Sequence, residues 1–600
     1  MHSKNLKKIV FLLTARERYH AALLFILVVV MALFEMAGIA SIMPFIAVLS
    51  NPEIIDTNLL LNKIFQNLSY LGLKTKADFL FTLGLFFLIL LIFSIFLKAL
   101  TTYFLLHFCK MREHSIGSRF VEGYLQKSYS WFLDRNSSDL GKNILSEVKV
   151  VIDNGIKPLL TLISQSVVAI VIIILLIVVN PEIALIMSCV LSFTYIFIYK
   201  LVKNFLNKSG EERFIANHER FKIVLEAFEA IKILKVSNLE QKYFRRFSNF
   251  SYLHAKKQSS AQIVSVMPRF LLEGITFGGM LIVILYAIVN NNNFDDFIPK
   301  LALYVFAGYR LLPALQQIYS SVAELRFVSS SLDYVCDELK NLKKFETKHS
   351  QNLIQFEKSI ELKNIDYSYP NSSGINLSNI NIHISAFSKI GLVGVSGSGK
   401  TTLVDIILGL LIADRGQILV DGHLIDKEKI SEWRNLIGYV PQDIYLADDT
   451  ISANIAFGAN KENIDQLAIE RAAKTAKLHD FITNELPLKY HTNVGERGVR
   501  LSGGQRQRIG IARALYHNPK ILIFDEATSA LDNITEKKIM ETLYSMNKNI
   551  TIIIIAHRFE TVKKCDYIYL LEKGEIKAKG KYNILSKKNK KFQDIEKGNF

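Results

Sequence analysis

Gly394-Val395-Ser396-Gly397-Ser398-Gly399-Lys400-Thr401 is the stretch that decides how this chain is read. It has the form GxxxxGK[ST]. Such a loop turns backbone N–H groups toward phosphate oxygens and sends its lysine to the β- and γ-phosphates. Downstream lies Leu501-Ser502-Gly503-Gly504-Gln505, followed by the apolar run Ile521-Leu522-Ile523-Phe524, which ends in Asp525-Glu526. A serine and two glycines thus stand upstream of a buried strand with a carboxylate pair at its tip.

Each residue type suits a task around a nucleoside triphosphate. Gly394, Ser396, Gly397, Ser398, Gly399, Lys400, Thr401 and Thr402 form the expected ATP cradle, with Thr401 also a ligand for Mg²⁺. Asp525 is expected to hold the Mg²⁺, directly or through water. Glu526 is the candidate base or water-orienting carboxylate, since a strand tip facing the γ-phosphate brings it within hydrogen-bond reach of attacking water. Gln442 closes the strand-like run Leu436 to Pro441 and can contact both Mg²⁺ and water. His557 follows the apolar strand Ile552 to Ala556 and can donate to the γ-phosphate. Tyr369 ends an early strand and can stack on adenine. Ser502, Gly503, Gly504 and Gln505 open a helix whose first turn offers a hydroxyl and N–H groups to an anion. Ser529-Ala530-Leu531-Asp532 is a loop suited to contact across subunits, and Asp532 joins the ATP-binding set. A lone phosphate loop says only that a nucleoside triphosphate binds, and a lone histidine after a strand is more often structural. The ordered series between residues 369 and 557 is far more specific.

That series resembles the nucleotide-binding domain of ABC transporters, and the resemblance covers about 340 to 580. It implies the roles just given, and it implies that the Leu501–Gln505 loop completes the ATP site of a second subunit. Thr492-Asn493-Val494-Gly495-Glu496-Arg497-Gly498 is similar to the exporter-type loop that touches the membrane domain. One position departs from the pattern. The turn before the phosphate-loop strand, usually glycine, is Phe387.

Upstream of residue 330 the chain changes character. Half of all residues are hydrophobic, and they concentrate in six stretches near 21–49, 79–108, 158–179, 183–202, 262–289 and 298–325. A membrane span needs roughly 20 mostly apolar residues, so each is long enough. The first follows a basic N-terminus but is too long for a signal peptide's apolar core. Asn180-Pro181-Glu182 makes a tight turn between the third and fourth. Residues 109–157 carry 8 Lys/Arg and 203–262 carry 12, whereas the three opposite loops carry only Lys63, Lys74 and Lys76. The positive-inside rule then puts both termini in the cytoplasm. The net charge of +17 reads as basic cytoplasmic loops rather than as a nucleic-acid surface. Cys109, Cys189, Cys336 and Cys565 show no metal or disulfide spacing.

The long cytoplasmic loops read as helical extensions of the spans. Asn136-Ser137-Ser138-Asp139-Leu140-Gly141, at the tip of the first, has turn and N-cap chemistry. Between spans 1 and 2, Leu61, Ile64, Phe65, Leu68 and Leu71 suit a short helix, either lying on the outer membrane surface or simply packed. The expected organisation is a six-span all-α transmembrane domain over 1–340, a linker over 341–350, an α/β phosphate-loop domain over 351–585, and a basic tail over 586–600. This resembles a half-size ABC exporter, which implies a homodimer in the cell (inner) membrane.

Ionisable residues within spans mark function by default. Away from the span ends they are Glu35, Lys98, Arg269, Glu273 and Arg310. Arg269 and Glu273 stand i, i+4 on one helix and can neutralise each other, and Lys98 can snorkel. Arg310 has Phe306 and Ala314 at its i±4 positions, so an acid on another helix or a ligand must answer it. Met43-Pro44-Phe45, Pro268 to Gly274 and Tyr309 to Pro313 resemble the lipid-linked oligosaccharide flippase of bacterial protein N-glycosylation. That resemblance implies a polyprenyl-diphosphate glycan as cargo, with Lys98, Arg269 and Arg310 as headgroup-handling cations. Lys98 stands where that family has Arg, which leaves a point charge in place of a planar fork. An exporter of peptides, drugs or lipid A-like lipids is the competing reading. A peptide exporter with its own N-terminal protease domain is not expected from the short stretch before span 1. A gated channel and a non-transport ABC ATPase fit less well.

Overall fold

The structure is a computed structural model. It describes residues 2–69, 75–179, 181–289, 294–342, 354–370, 374–527, 531–545, 550–556 and 559–596. The chain divides into two compact units. One holds residues 1–127 and 134–344, the other residues 128–133 and 345–600.

The first unit is helical throughout its described length. Its main helices are α1 (Ala15–Ala40), α2 (Lys76–Leu125), α3 (Lys157–Val179), α4 (Pro181–Glu229), α5 (Glu240–Val266), α6 (Pro268–Val289) and α7 (Phe294–Phe327). Start signals are explicit. Thr14 and Glu17 close a capping box on α1, and Thr75 and Asp78 close one on α2. Pro181 and Pro268 each occupy a first helical position, where the missing N–H costs nothing. Helices run through all six apolar stretches. Among the described residues, Ala15–Ser50, Lys76–Leu125, Ser138–Val179 and Ala184–Glu229 are long and apolar enough to cross a membrane. Residues 180 and 290–293, in two of the connections between the apolar stretches, lie outside the described set.

Helices α1, α3 and α7 bury Met31, Ile172, Leu303 and Ala307 in one core, while Phe81, Phe86, Ile89 and Phe96 of α2 stay exposed. An exposed apolar face of that length suits lipid rather than water. The extensions beyond the apolar stretches are stitched by polar contacts. Glu147, fully buried, accepts from Arg213 at 3.0 Å and from Asn217 at 2.8 Å, and Arg213 also donates to Ser331. Two π-helical turns, Asn143–Glu147 and Ile152–Ile156, interrupt the helix that carries Glu147. Asn136 does occupy an N-cap position, but its side chain makes no capping hydrogen bond. Leu59–Ser69 is a helix whose Leu61 is buried with Val48, Ile55 and Phe79, while Leu59 and Leu60 are exposed. Leu71, the last apolar position read there, is outside the described residues.

The second unit has two sheets. Strands β1 (Ser359–Tyr367), β2 (Leu377–Ser385), β4 (Arg415–Val420) and β5 (His423–Leu424) form an antiparallel sheet in the order β2-β1-β4-β5. Strands β3 (Lys389–Val393), β6 (Ile437–Val440), β7 (Ile521–Asp525), β8 (Thr551–Ile555), β9 (Tyr567–Glu572) and β10 (Glu575–Gly580) form the other, ordered β10-β9-β3-β8-β7-β6. It is parallel except at β10. Every residue of β7 and β8 is buried, as a parallel sheet covered on both faces requires. The basic stretch after 585 carries part of this core: Phe592 is fully buried against Phe559 and Tyr582.

Candidate functional site

In a parallel sheet of this kind, ligands bind outside the carboxyl ends of the strands. Those ends gather most of the residues expected at the ATP site. The phosphate loop leaves β3 and enters helix α8 (Lys400–Ile407). Gly397 and Gly399 have φ of +76° and +99°, a backbone that side-chain-bearing residues adopt only under strain. A Cβ on Gly394 would lie 2.3 Å from the Leu571 carbonyl oxygen, so that approach too admits only glycine.

The Lys400 ammonium is buried and folds back onto its own loop, donating to the Gly394 and Val395 carbonyls at 2.8 and 3.0 Å. Burial pulls its pKa below the ordinary lysine value, against the upward pull of Glu526 and Asp525. The Ser398 hydroxyl is buried with no partner. A curled loop of N–H groups, an unpartnered buried hydroxyl, a buried cation and a helix N-terminus together fit a phosphate group. Ser396 and Thr401 are exposed at the rim. Thr402 points inward, and its hydroxyl lies 3.2 Å from that of Tyr369. Tyr369 packs edge-on against Tyr367, their ring centroids 5.1 Å apart.

The carboxylates stand on β7 and just past it. Asp525 is buried and accepts from the Tyr439 hydroxyl at 3.3 Å. Glu526 takes a left-handed backbone, φ +51°, and its N–H donates to Ile555 of β8. A non-glycine residue held there stores strain that the neighbouring strands enforce. Gln442, one turn past β6, donates its side-chain amide to Glu526 Oε2 at 2.9 Å. Asp405, on α8, is pushed up to about 6 by burial, with the nearby Asp525 charge adding to the shift. His557, expected beside this group, lies outside the described residues, as do Ser529 and Ala530.

Sequence reasoning passed over Tyr439 and Asp405. Tyr439 alternates outward from a strand whose neighbours are buried. Asp405 stands five residues after Lys400 on the same short helix. Both signals were available.

The Leu501–Gln505 loop sits on helix α9 (Gly503–Tyr516). Ser502 is its N-cap: Ser502 Oγ accepts from the Gln505 N–H at 3.2 Å, and Gln505 Oε1 accepts from the Ser502 N–H at 2.8 Å. Gln505 thus closes a capping box, and Ser502 is exposed at the start of the helix. Asp532 is exposed and accepts from the Thr535 N–H, which holds its pKa below the ordinary value.

In the helical unit, three of the five ionisable residues set away from the span ends meet. Glu35 of α1 is 3% exposed, and its Oε1 lies 3.3 Å from Lys98 Nζ of α2 and 3.3 Å from Arg310 Nη1 of α7. The sequence left Arg310's partner open between a ligand and an acid on another helix. The structure supplies the acid. Arg269 donates to Glu273 at 2.6 Å within α6, as their spacing allows, and neither joins the Glu35 cluster.

Comparison with known proteins bears on both units. Residues 377–529 match the ABC transporter family model, and residues 21–306 match the ABC transporter transmembrane region. The chain is 42% identical over 241 residues to the ATP-dependent lipid A-core flippase of Pectobacterium atrosepticum, covering 40% of this chain and 41% of that protein. It therefore spans about two fifths of that flippase's length. It is 32% identical over 464 residues to ABC transporter B family member 29, chloroplastic, of Arabidopsis thaliana, covering 75% and 71% respectively. A solved bacterial Atm1-family ABC exporter with ATP bound superposes with a TM-score of 0.75 over 97% of this chain and 98% of that one, at 22% identity, a likeness of fold.

Proposed function

The chain belongs to the ABC transporter family, and from that premise we propose an ATP-driven flippase for a polyprenyl-diphosphate-linked oligosaccharide or a similar anionic glycolipid in the cell membrane. It is an ATPase coupled to transport. The finer reading names the cargo, the assembly and the orientation, with both termini cytoplasmic and all six apolar stretches crossing.

When bound, ATP supplies the phosphoryl-transfer free energy that transport consumes. The chain's own residues do the rest. Lys400 leaves its two carbonyls for phosphate oxygens, and the Gly397, Ser398 and Gly399 N–H groups hold the same anion. Thr401, Asp525 and Gln442 would hold Mg²⁺, which would neutralise charge on the phosphates. Glu526 orients water and takes its proton, and Gln442 holds Glu526 by its amide. His557 would donate to the terminal phosphate. Tyr369 would give its ring to adenine. Ser502 to Gln505, fixed at the helix start by the capping box, and Asp532 close the site of a second copy, so a homodimer has two complete sites.

One observation supports an anionic cargo: two cations from different helices converge beside a single carboxylate, with Lys98 43% and Arg310 24% exposed against 3% for Glu35. Their open sides offer charge and, from Arg310, a bidentate donor fork for phosphate oxygens. Arg269 carries the same chemistry but answers Glu273. A lipid A-like glycolipid is the second reading, favoured by the flippase relative. The two separate when the protein is reconstituted in liposomes with each labelled lipid and ATP. ATP-dependent inversion of the polyprenyl-diphosphate glycan, with none of the lipid A-like lipid, supports the first.

A further inference from the structure

Glu35 is more deeply buried than either cation it meets. Its Oε1 serves both Lys98 and Arg310, and its Oε2 is buried with no hydrogen-bond partner. Contacts of 3.3 Å are long for charge-assisted hydrogen bonds, which run about 2.7–2.9 Å. The arrangement is therefore a loose one: two positive charges share one negative charge, and half of that carboxylate is idle. A cluster built for stability would be expected to satisfy both oxygens, since a buried unpaired acceptor carries a desolvation cost. Met31 and Ala32 on its own helix, and Leu97 and Leu311 next to Lys98 and Arg310 in the chain, are buried in the helical core.

We propose that Glu35 is an internal counter-anion, which a diphosphate headgroup must displace from Lys98 and Arg310, and that it thereby sets how tightly cargo is held. This deepens the proposed function and rests on it. Without cargo, Glu35 keeps the two like charges from driving α2 and α7 apart. With cargo, phosphate oxygens take over both cations from their exposed side. Glu35 then weakens the complex by competition and by like-charge repulsion, so the headgroup can leave at the far side. A flippase gains from that, because a site that binds too well does not release.

The test uses the full chain in nanodiscs, with ATPase activity followed against farnesyl diphosphate, farnesol and inorganic diphosphate. Farnesyl diphosphate should stimulate and farnesol should not. Competition by inorganic diphosphate in the presence of saturating ATP would show that the headgroup alone is recognised, while its failure would assign recognition to the lipid diphosphate as a whole; the counter-anion role predicts competition. Glu35→Gln should lower the half-saturating farnesyl diphosphate concentration about tenfold, as loss of a like charge within a few ångströms allows, and also lower the maximal rate. A purely structural Glu35 would instead lower stability and leave half-saturation alone. Lys98→Met should raise half-saturation about tenfold for the matching reason. Adding Glu35→Gln to Lys98→Met should bring it back toward the unaltered value, and that comparison carries the test if the single Glu35→Gln protein does not fold. Unchanged or raised half-saturation in Glu35→Gln, or no recovery in the double variant, overturns the counter-anion role alone. No stimulation of the unaltered protein by farnesyl diphosphate removes the diphosphate-lipid reading, and this inference with it.

Discussion

Gln442 donates its side-chain amide to Glu526 at 2.9 Å, from the end of one strand to the end of the next. The bond joins the residue proposed to sense the metal and water to the carboxylate proposed to orient that water. Glu526 is also held in a left-handed backbone, so two constraints fix it. Glu526→Gln is expected to cut ATP turnover by at least two decades, about 2.7 kcal/mol of barrier, with nucleotide occupancy retained. Gln442→Ala should cost about one decade, about 1.4 kcal/mol, by releasing Glu526. Turnover and occupancy measured on the same samples decide both. Turnover within about threefold of normal in Glu526→Gln would remove it from its role.

The exposed, capping Ser502 predicts action on a second copy. In dimers mixed from Lys400→Ala and Ser502→Arg chains, both defects should fall on one site and leave the other whole. Co-purified mixed dimers should then keep roughly half the normal turnover. If each defect instead spoils a separate site, the mixed dimer should be as inactive as either parent.

The phosphate loop, its lysine, the carboxylate pair and the capping serine were legible because each is a local pattern whose meaning is fixed by a few adjacent residues. The pairing of Glu35 with Arg310 was legible only as one of several answers. It joins residues on different helices, and packing alone selects it; the sequence could say that Arg310 lacked a partner on its own helix and that Glu35 or Glu273 on a neighbouring helix was the alternative to a ligand. The π-helical turns around Glu147 were hidden, since no residue type marks them. Gln505 was readable as a capping partner from its distance to Ser502, a signal passed over in favour of its motif.

Phe387 shows a departure that the fold absorbs. The turn keeps the shape glycine would give it: Phe387 has φ +61°, and its N–H donates to Thr551 Oγ1 at 2.7 Å. The side chain is 40% exposed, so the covered part of the ring works against the backbone strain. In Phe387→Gly the relief of about 1–2 kcal/mol of strain is set against a comparable loss of ring burial, so the ATP-binding unit's unfolding temperature is expected to change little; a marked rise would show that the strain dominates. A fall would show that the ring's contacts outweigh the strain.

His254 gives the helical extensions a pH dependence. Burial, with Arg220 and Arg213 adding, lowers its pKa from 6.5 to about 4. A group depressed in this way favours the folded state when neutral. Its contribution is full above about pH 6.5 and falls away as pH drops toward 4. His254→Gln should flatten the loss of thermal stability across that window and change little at pH 7.5. An unchanged slope would show that His254 does not titrate differently on folding.

During ATP-driven flipping, a phosphate-bearing lipid headgroup is proposed to meet Arg310. The direct measurement is inversion of labelled polyprenyl-diphosphate sugar in proteoliposomes by the Arg310→Ala protein, beside its basal ATPase rate and melting temperature. The account predicts a folded protein with near-normal basal ATPase and no flipping, partly restored in Arg310→Lys, where charge survives without the planar fork. Normal flipping by a stable Arg310→Ala protein would contradict it.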